Sequence, residues 1–257
     1  MSSDTITATL EGRTAVVTGA SSGIGEATAE LLAARGAKVA VLARRADRLD
    51  ELVERIAKVG GTALAVPVDV TDAAAVEAAA ERVAAEFGAA DLLFNNAGVM
   101  LPAPITERRV DQWQRMVDLN VTGLMNVIGA FTPQLVAAAA ERGVADLVNT
   151  SSIGGTEVFP SFGVYGGTKA FVSHLSKNLR ADLGSKGVRV SVVEPGMTMT
   201  EIKDHVTDPG ANEWIEGAIA SIEVLESSDV AESVAFLAAQ PPRVNLPRLV
   251  IMPTAQA

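Results

Sequence analysis

Six short aliphatic runs punctuate the chain: AVVT (15–18), VAVL (39–42), ALAV (63–66), LLFN (92–95), DLVNT (146–150) and RVSVV (189–193). They alternate little between polar and apolar, as strands of a parallel sheet buried on both faces do. Helical periodicity fills the gaps at about 23–35, 47–59, 72–87, 107–140 and 165–183, with Asp72 marking a start and Gly36 a stop. Repeated strand–helix units joined by right-handed crossovers leave one architecture, an α/β doubly wound parallel sheet with helices on both faces. A helix near 228–239 and a strand at RLVIM bring the expected sheet to about seven strands. Between 197 and 225 the rhythm breaks, and the segment reads as helix, Pro-Gly turn and helix, a small lid inserted over one edge. Residues 1–257 together read as one domain, near the upper size for one core.

Composition narrows the function. The formal charge of −10 opposes a nucleic-acid surface, and no unbroken apolar run approaches the roughly 18 residues of a membrane span. The start, MSSDTITATLEGRT, lacks the basic and apolar parts of a secretory leader. The absence of cysteine excludes disulfides and Cys-ligated metal. A soluble, cytoplasmic protein with no bound metal is expected.

The turn after the first strand carries Gly19, Gly23 and Gly25 in TGASSGIG. Glycines there allow a sharp bend and a close approach of backbone to a pyrophosphate at a helix N-terminus, as in Rossmann-like dinucleotide sites. The same letters, Gly19-Ala20-Ser21-Ser22-Gly23, satisfy the G-x-S-x-G elbow of serine hydrolases. That alternative lacks the preceding strands and a placed acid and histidine; His174 falls in a helix and His205 in the irregular segment. The second strand ends with Ala43, where an NAD site carries an acid for the ribose 2′-hydroxyl, followed by Arg44 and Arg45. Guanidinium groups at this point attract a 2′-phosphate, so NADP (NADPH) is the expected cofactor.

Tyr165 is the chain's sole tyrosine, with Lys169 one helical turn on and Ser152 thirteen residues before it. Carbonyl reduction needs a proton donor at oxygen while hydride reaches carbon. A phenol brought toward neutrality by an ammonium suits that task, and a serine hydroxyl can polarise the carbonyl.

With these residues in place, the chain resembles the short-chain dehydrogenase/reductase family from about residue 10 to the C-terminus. The family motifs fall at Thr18 to Gly25, Asn95-Asn96-Ala97-Gly98, Asn120 to Gly123, Ser152, Tyr165 with Lys169, and Pro195-Gly196. The resemblance implies Tyr165 as general acid/base and Ser152 as the group orienting the carbonyl. It makes Lys169 the residue that lowers the tyrosine pKa and binds the nicotinamide ribose, and puts Asn120 in a water-mediated proton relay. It extends the cofactor site to Gly19, Ser21, Ser22, Gly23, Ile24, Gly25, Arg44, Arg45, Asp69, Val70, Asn96, Ala97, Gly98, Pro195, Gly196, Thr198 and Thr200, with Asp69 on the adenine. Two departures stand out: Gly166 and Gly167 follow the tyrosine, implying a looser helix start, and Ser22 replaces the basic residue many NADP users carry in the glycine turn.

The expected substrate pocket comprises Met100, Leu101, Ile153, Gly154, Val158, Phe159, Met197 and the segment around Trp214, suited to a neutral, apolar ketone or aldehyde. The function expected is an NADP-dependent oxidoreductase (carbonyl reductase or alcohol dehydrogenase) interconverting a small carbonyl compound and its alcohol. The alternative of another class is a non-catalytic NADP-binding sensor or scaffold. Family resemblance also implies a homo-oligomer, a dimer or tetramer pairing the helices at 107–140 and 165–183.

Overall fold

The computed structural model describes residues 9–256; the leader reading rests partly on residues 1–8, which lie outside them. Seven parallel strands form one sheet: β1 (Thr14–Thr18), β2 (Lys38–Ala43), β3 (Thr62–Pro67), β4 (Leu92–Asn95), β5 (Ala145–Thr150), β6 (Val188–Pro195) and β7 (Arg248–Ile251). Their order is β3-β2-β1-β4-β5-β6-β7, so the winding reverses between β1 and β4. In such sheets that reversal opens a crevice at the carboxyl ends of the strands. Each expected run is a strand: β4 has the expected bounds, β7 ends one residue early, and the other five are extended by one or two residues at their ends.

Helices α1 (Gly23–Ala34), α2 (Ala46–Lys58), α3 (Ala73–Phe87), α4 (Val110–Val117), α5 (Leu124–Arg142), α6 (Gly163–Leu183), α7 (Pro209–Ser221) and α8 (Ser227–Ala238) complete the framework. The Asp72 carboxylate accepts from the Ala75 N–H at 3.0 Å and caps α3, as its sequence position predicts. Leu32, Leu49 and Val234 are buried in one core layer; Val76, Phe131 and Val172 are buried in the other. Each such side chain contributes roughly 1.5–3 kcal/mol by leaving water.

The helix expected over 107–140 is divided. It begins at Val110, passes through a π-helical segment, Asp118–Gly123, and continues as α5. A π segment inserts one residue into the α ladder and commonly accompanies functional positions; here it carries Asn120. The joined stretch 110–142 has the length and mean apolarity to cross a bilayer, so the sequence expectation holds for unbroken apolar runs alone. Half of its most apolar window is buried within the fold.

The segment 197–225 also differs from expectation. Its first part is a 3₁₀ turn, Glu201–His205, and Pro209-Gly210 begins α7 instead of forming a turn. Proline suits that first helical turn because its missing N–H would have no helical partner, and Asp208 caps it by accepting from Ala211 N–H at 2.8 Å. The segment does not lie along one edge. Glu201 reaches the glycine turn, Asp208 pairs with Arg109, and Trp214 meets Phe159 and Phe162, so it roofs the crevice.

At the opposite end of the strands Asp146 is buried between two guanidinium groups, Arg13 Nη2 at 2.8 Å and a forked pair from Arg189, both bonds at 2.8 Å. Arg189 also donates to the carbonyls of Gln240, Pro241 and Val244, tying β5 and β6 to the approach to β7. Removing one partner of a buried ionic group strands the other charges. Asp146→Ala is therefore expected to cost about 3–5 kcal/mol in urea unfolding, with the activity of the remaining folded protein preserved because the network lies far from the crevice.

Candidate active site

The glycine turn is shaped by sterics. Gly19 has φ +65°, and a Cβ there would lie 2.9 Å from the Ala97 Cα; a Cβ on Gly25 would lie 2.3 Å from the Gly19 carbonyl oxygen. Only hydrogen fits at either place, so the turn after β1 presses against the loop after β4. Thr18 Oγ1 locks that contact by accepting from the N–H groups of Asn96 and Ala97, at 3.0 and 3.1 Å. The bend leaves the first N–H groups of α1 at the crevice mouth, where an anion is favoured.

The crevice has two lobes. One, of about 250 Å³, is lined by Gly19, Ser21, Ser22, Gly23 and Ile24 of the turn and by Arg44, Arg45, Asp69 and Val70 beyond β2 and β3. Asn96, Ala97, Gly98 and Thr200 complete its expected members. Arg44 is open to solvent, 4.0 Å from Asp69. The Asp69 carboxyl is held below its usual range chiefly by a hydrogen bond from the Thr71 N–H. Gly25 acts one layer back, through the close contact described above. The other lobe, of about 180 Å³, contains Ser152, Tyr165 and Lys169, together with Pro195, Gly196 and Thr198. It also contains six of the eight expected substrate-pocket residues, Met100, Ile153, Gly154, Phe159, Met197 and Trp214. Ile24, Asn96, Gly98 and Thr200 line both lobes, so the two are continuous.

Two expected pocket residues lie elsewhere. Val158 is 93% exposed, and Leu101 is buried behind the pocket with Met116 and Val99. Several lining residues had no sequence signal: Phe162, Ile202, Lys203, Ile215, Ile219 and Gln256. Ile215 and Ile219 stand one helical turn apart on α7, a spacing that becomes informative once α7 is known to face the site. Gln256 arrives from the far end of the chain, its Oε1 accepting from the Met197 N–H at 2.8 Å.

Ser152 leads a 3₁₀ turn, its hydroxyl oxygen accepting from the Gly154 N–H at 3.0 Å, and it lines the same lobe as Tyr165. Ser151, its neighbour, points away, donating to the Lys169 carbonyl at 2.8 Å. Both serines border the lobe, but the Ser151 hydroxyl is committed to the Lys169 carbonyl and Ser173. Tyr165 and Lys169 share one face of α6, and the Lys169 Nζ stands 5.8 Å from the phenol ring centre while donating to the Thr150 carbonyl at 3.0 Å. Burial pushes the phenol up to about 12, against a smaller lowering by Ser152, and pushes the lysine down to about 8. Desolvation thus outweighs the expected lowering of the tyrosine by its lysine in the protein alone.

Helix α6 starts two residues earlier than expected, and the Gly166 expectation is corrected. A Cβ there would sit 2.6 Å from the Gly154 carbonyl oxygen, so glycine lets α6 dock on the serine turn. Asn120 is buried and its amide is committed, donating to the Val99 carbonyl at 2.9 Å and Thr168 Oγ1 at 3.1 Å and accepting from the Val99 N–H at 2.8 Å. It pins the loop after β4 to α6. For the elbow alternative, Ser21 Oγ accepts from Arg45 at 3.1 Å, and no hydrogen bond among the described residues joins it to His174 or His205.

A sequence profile of the family described as short chain dehydrogenase matches residues 13–210. The chain belongs to that family. Serine 3-dehydrogenase of Agrobacterium fabrum is 37% identical over 245 residues, which cover 95% of each chain. Sulfoacetaldehyde reductase of Chromohalobacter salexigens is 38% identical over 94% of each. The chain also matches glycine betaine reductase of Emericella nidulans at 38%, but over 19% of that longer protein. Among solved structures, the closed form of a serine dehydrogenase complexed with NADP+ superposes with a TM-score of 0.86 at 34% identity, covering 95% of this chain and 96% of that one. The chain is thus an oxidoreductase of the short-chain dehydrogenase family.

Burying a lysine whose pKa falls from 10.5 to about 8 opposes folding wherever the folded state is protonated. Lys169→Met is expected to stabilise the protein at pH 7 by on the order of 1–3 kcal/mol in denaturant melts. The unfolded chain binds more protons between pH 8 and 10.5, so the wild-type deficit should shrink over that window.

Proposed function

We propose that this protein is an NADP-dependent oxidoreductase that interconverts a ketone or aldehyde and the corresponding alcohol. The observation that carries this reading is the trio Ser152, Tyr165 and Lys169 on the wall of one lobe, with Tyr165 and Lys169 buried, continuous with a lobe whose far end holds Arg44 and Arg45. When bound, a nicotinamide cofactor would supply hydride chemistry beside Ser152, Tyr165 and Lys169. The glycine turn and the α1 N-terminus hold the pyrophosphate; Arg44 and Arg45 hold the 2′-phosphate. Asp69 and Val70 flank the adenine end, and Thr198 and Thr200 the nicotinamide end. The serine dehydrogenase resembled by this fold is described as complexed with NADP+, which supports the cofactor assignment.

In this reading the Ser152 hydroxyl donates to the substrate oxygen and Tyr165 delivers its proton there as hydride reaches carbon. A phenol at about 12 keeps its proton for reduction across the neutral range. Lys169, charged below about pH 8, stabilises the phenolate left behind. Asn120 holds the loop and helix in register; a relay water would find only the remaining Oδ1 acceptor on its side chain or its backbone. The pocket's apolar lining and aromatic rings, with Phe162 and Trp214 centroids 5.4 Å apart, support a neutral, apolar carbonyl compound. Exposed Met125 on α5 and Phe171 on α6 support a homo-oligomer, and we place the protein in the cytoplasm.

Two measurements test this. Tyr165→Phe should lower kcat by roughly 10²–10⁴ while NADPH binding, followed by nicotinamide fluorescence, stays near wild type; comparable turnover would remove Tyr165 as the proton donor. The double substitution Ala43→Asp with Arg44→Ser should move the preference from NADPH toward NADH. Unchanged relative affinities would dismiss the 2′-phosphate assignment.

A further inference from the structure

Arg45 does not stand free in the cofactor lobe. Its Nε donates to Ser21 Oγ at 3.1 Å, and its Nη2 donates to the Ser21 carbonyl at 3.0 Å and to a Glu201 carboxylate oxygen at 3.0 Å. Glu201 also lines the lobe with Ser22 and lies in the field of Arg48. Its carboxyl is accordingly held below the usual range, first by the hydrogen bond from Arg45. The residue belongs to the roof segment, and its chain neighbour Thr200 seats against the turn, 3.2 Å from where a Gly23 Cβ would be. Glu201, Arg44, Arg45 and Ser22 line the same lobe, with Asp69 and His205 as its other titratable lining groups. A carboxylate therefore occupies the surroundings in which a 2′-phosphate would have to find its donors.

We propose that Glu201 competes with the 2′-phosphate of the cofactor for Arg45, and so sets how tightly the enzyme holds NADP(H) and how strongly it discriminates against NAD(H). The inference rests on the NADP reading above. Phosphate binding must displace Glu201 from the guanidinium or share it, and in both cases like charges meet across a partly exposed site. A cofactor without the 2′-phosphate makes no such demand, so the cost falls on NADP(H) alone. The absence of an acid at Ala43 then favours NADP(H), and Glu201 from the roof opposes it, so both act on the same discrimination.

Equilibrium titrations of the full-length wild type, Glu201→Gln and Glu201→Lys with NADPH and with NADH test this. Glutamine keeps an acceptor for Arg45 and removes the charge. NADPH should bind roughly three- to tenfold tighter to Glu201→Gln, at least as tightly to Glu201→Lys, and NADH should change less than about twofold. In an Arg45→Ala background the gain from Glu201→Gln should shrink, because the contested donor is gone. NADPH affinity that is unchanged or weaker in Glu201→Gln overturns the proposal. So does a loss of NADH affinity, which would make Glu201 the acceptor for a ribose hydroxyl. Wild-type preference for NADH would overturn the NADP reading and this inference together; wild-type preference for NADPH with no gain on substitution overturns this inference alone.

Discussion

The contact between the turn after β1 and the loop after β4 governs the rest of the molecule. Gly19 meets Ala97, Gly25 meets Gly19, and Thr18 Oγ1 binds the two N–H groups that follow β4. These contacts sit where the strand order reverses, the one place where successive connections leave the sheet on opposite faces. The close approach decides the direction of α1, the position of Asn96 to Gly98, and through Asn120 and Val99 the seating of α6. A methyl group at Gly25 would disturb all three.

Electrostatic stress is distributed unequally along the strands. At their amino ends Asp146 and two arginines satisfy one another with short, forked bonds, and Arg189 spends its remaining donors on carbonyls. At their carboxyl ends Lys169 and Tyr165 are almost wholly buried, and each is pushed toward its neutral form. The Lys169 amine keeps one backbone acceptor, the Thr150 carbonyl, which maintains its position without neutralising it.

The roof segment shows where sequence reasoning lost the thread and why. Its irregular composition marked it as an insertion, yet the Pro-Gly pair read as a turn, because the meaning of proline depends on whether a helix follows it closely. The long helix read over 107–140 likewise concealed a π segment, since one inserted residue leaves the apolar periodicity nearly intact. Gly166 read as a source of looseness and is a docking surface. Its reason is a carbonyl oxygen twelve residues away in sequence, brought near by the serine turn.

From the sequence alone came the strand–helix alternation, the glycine turn, the basic residues after β2, and the Ser152, Tyr165 and Lys169 pattern. All of these are local signals, set by backbone sterics and the chemistry of neighbouring side chains. Tertiary structure alone decided that Gln256 braces Met197, that Val158 faces solvent while Phe162 faces the pocket, and that Glu201 holds Arg45 from 156 positions away. It also decided that burial, and not the neighbouring ammonium, dominates the Tyr165 hydroxyl. Desolvation and long-range pairing depend on what surrounds a group in space, and no spacing along the chain encodes that.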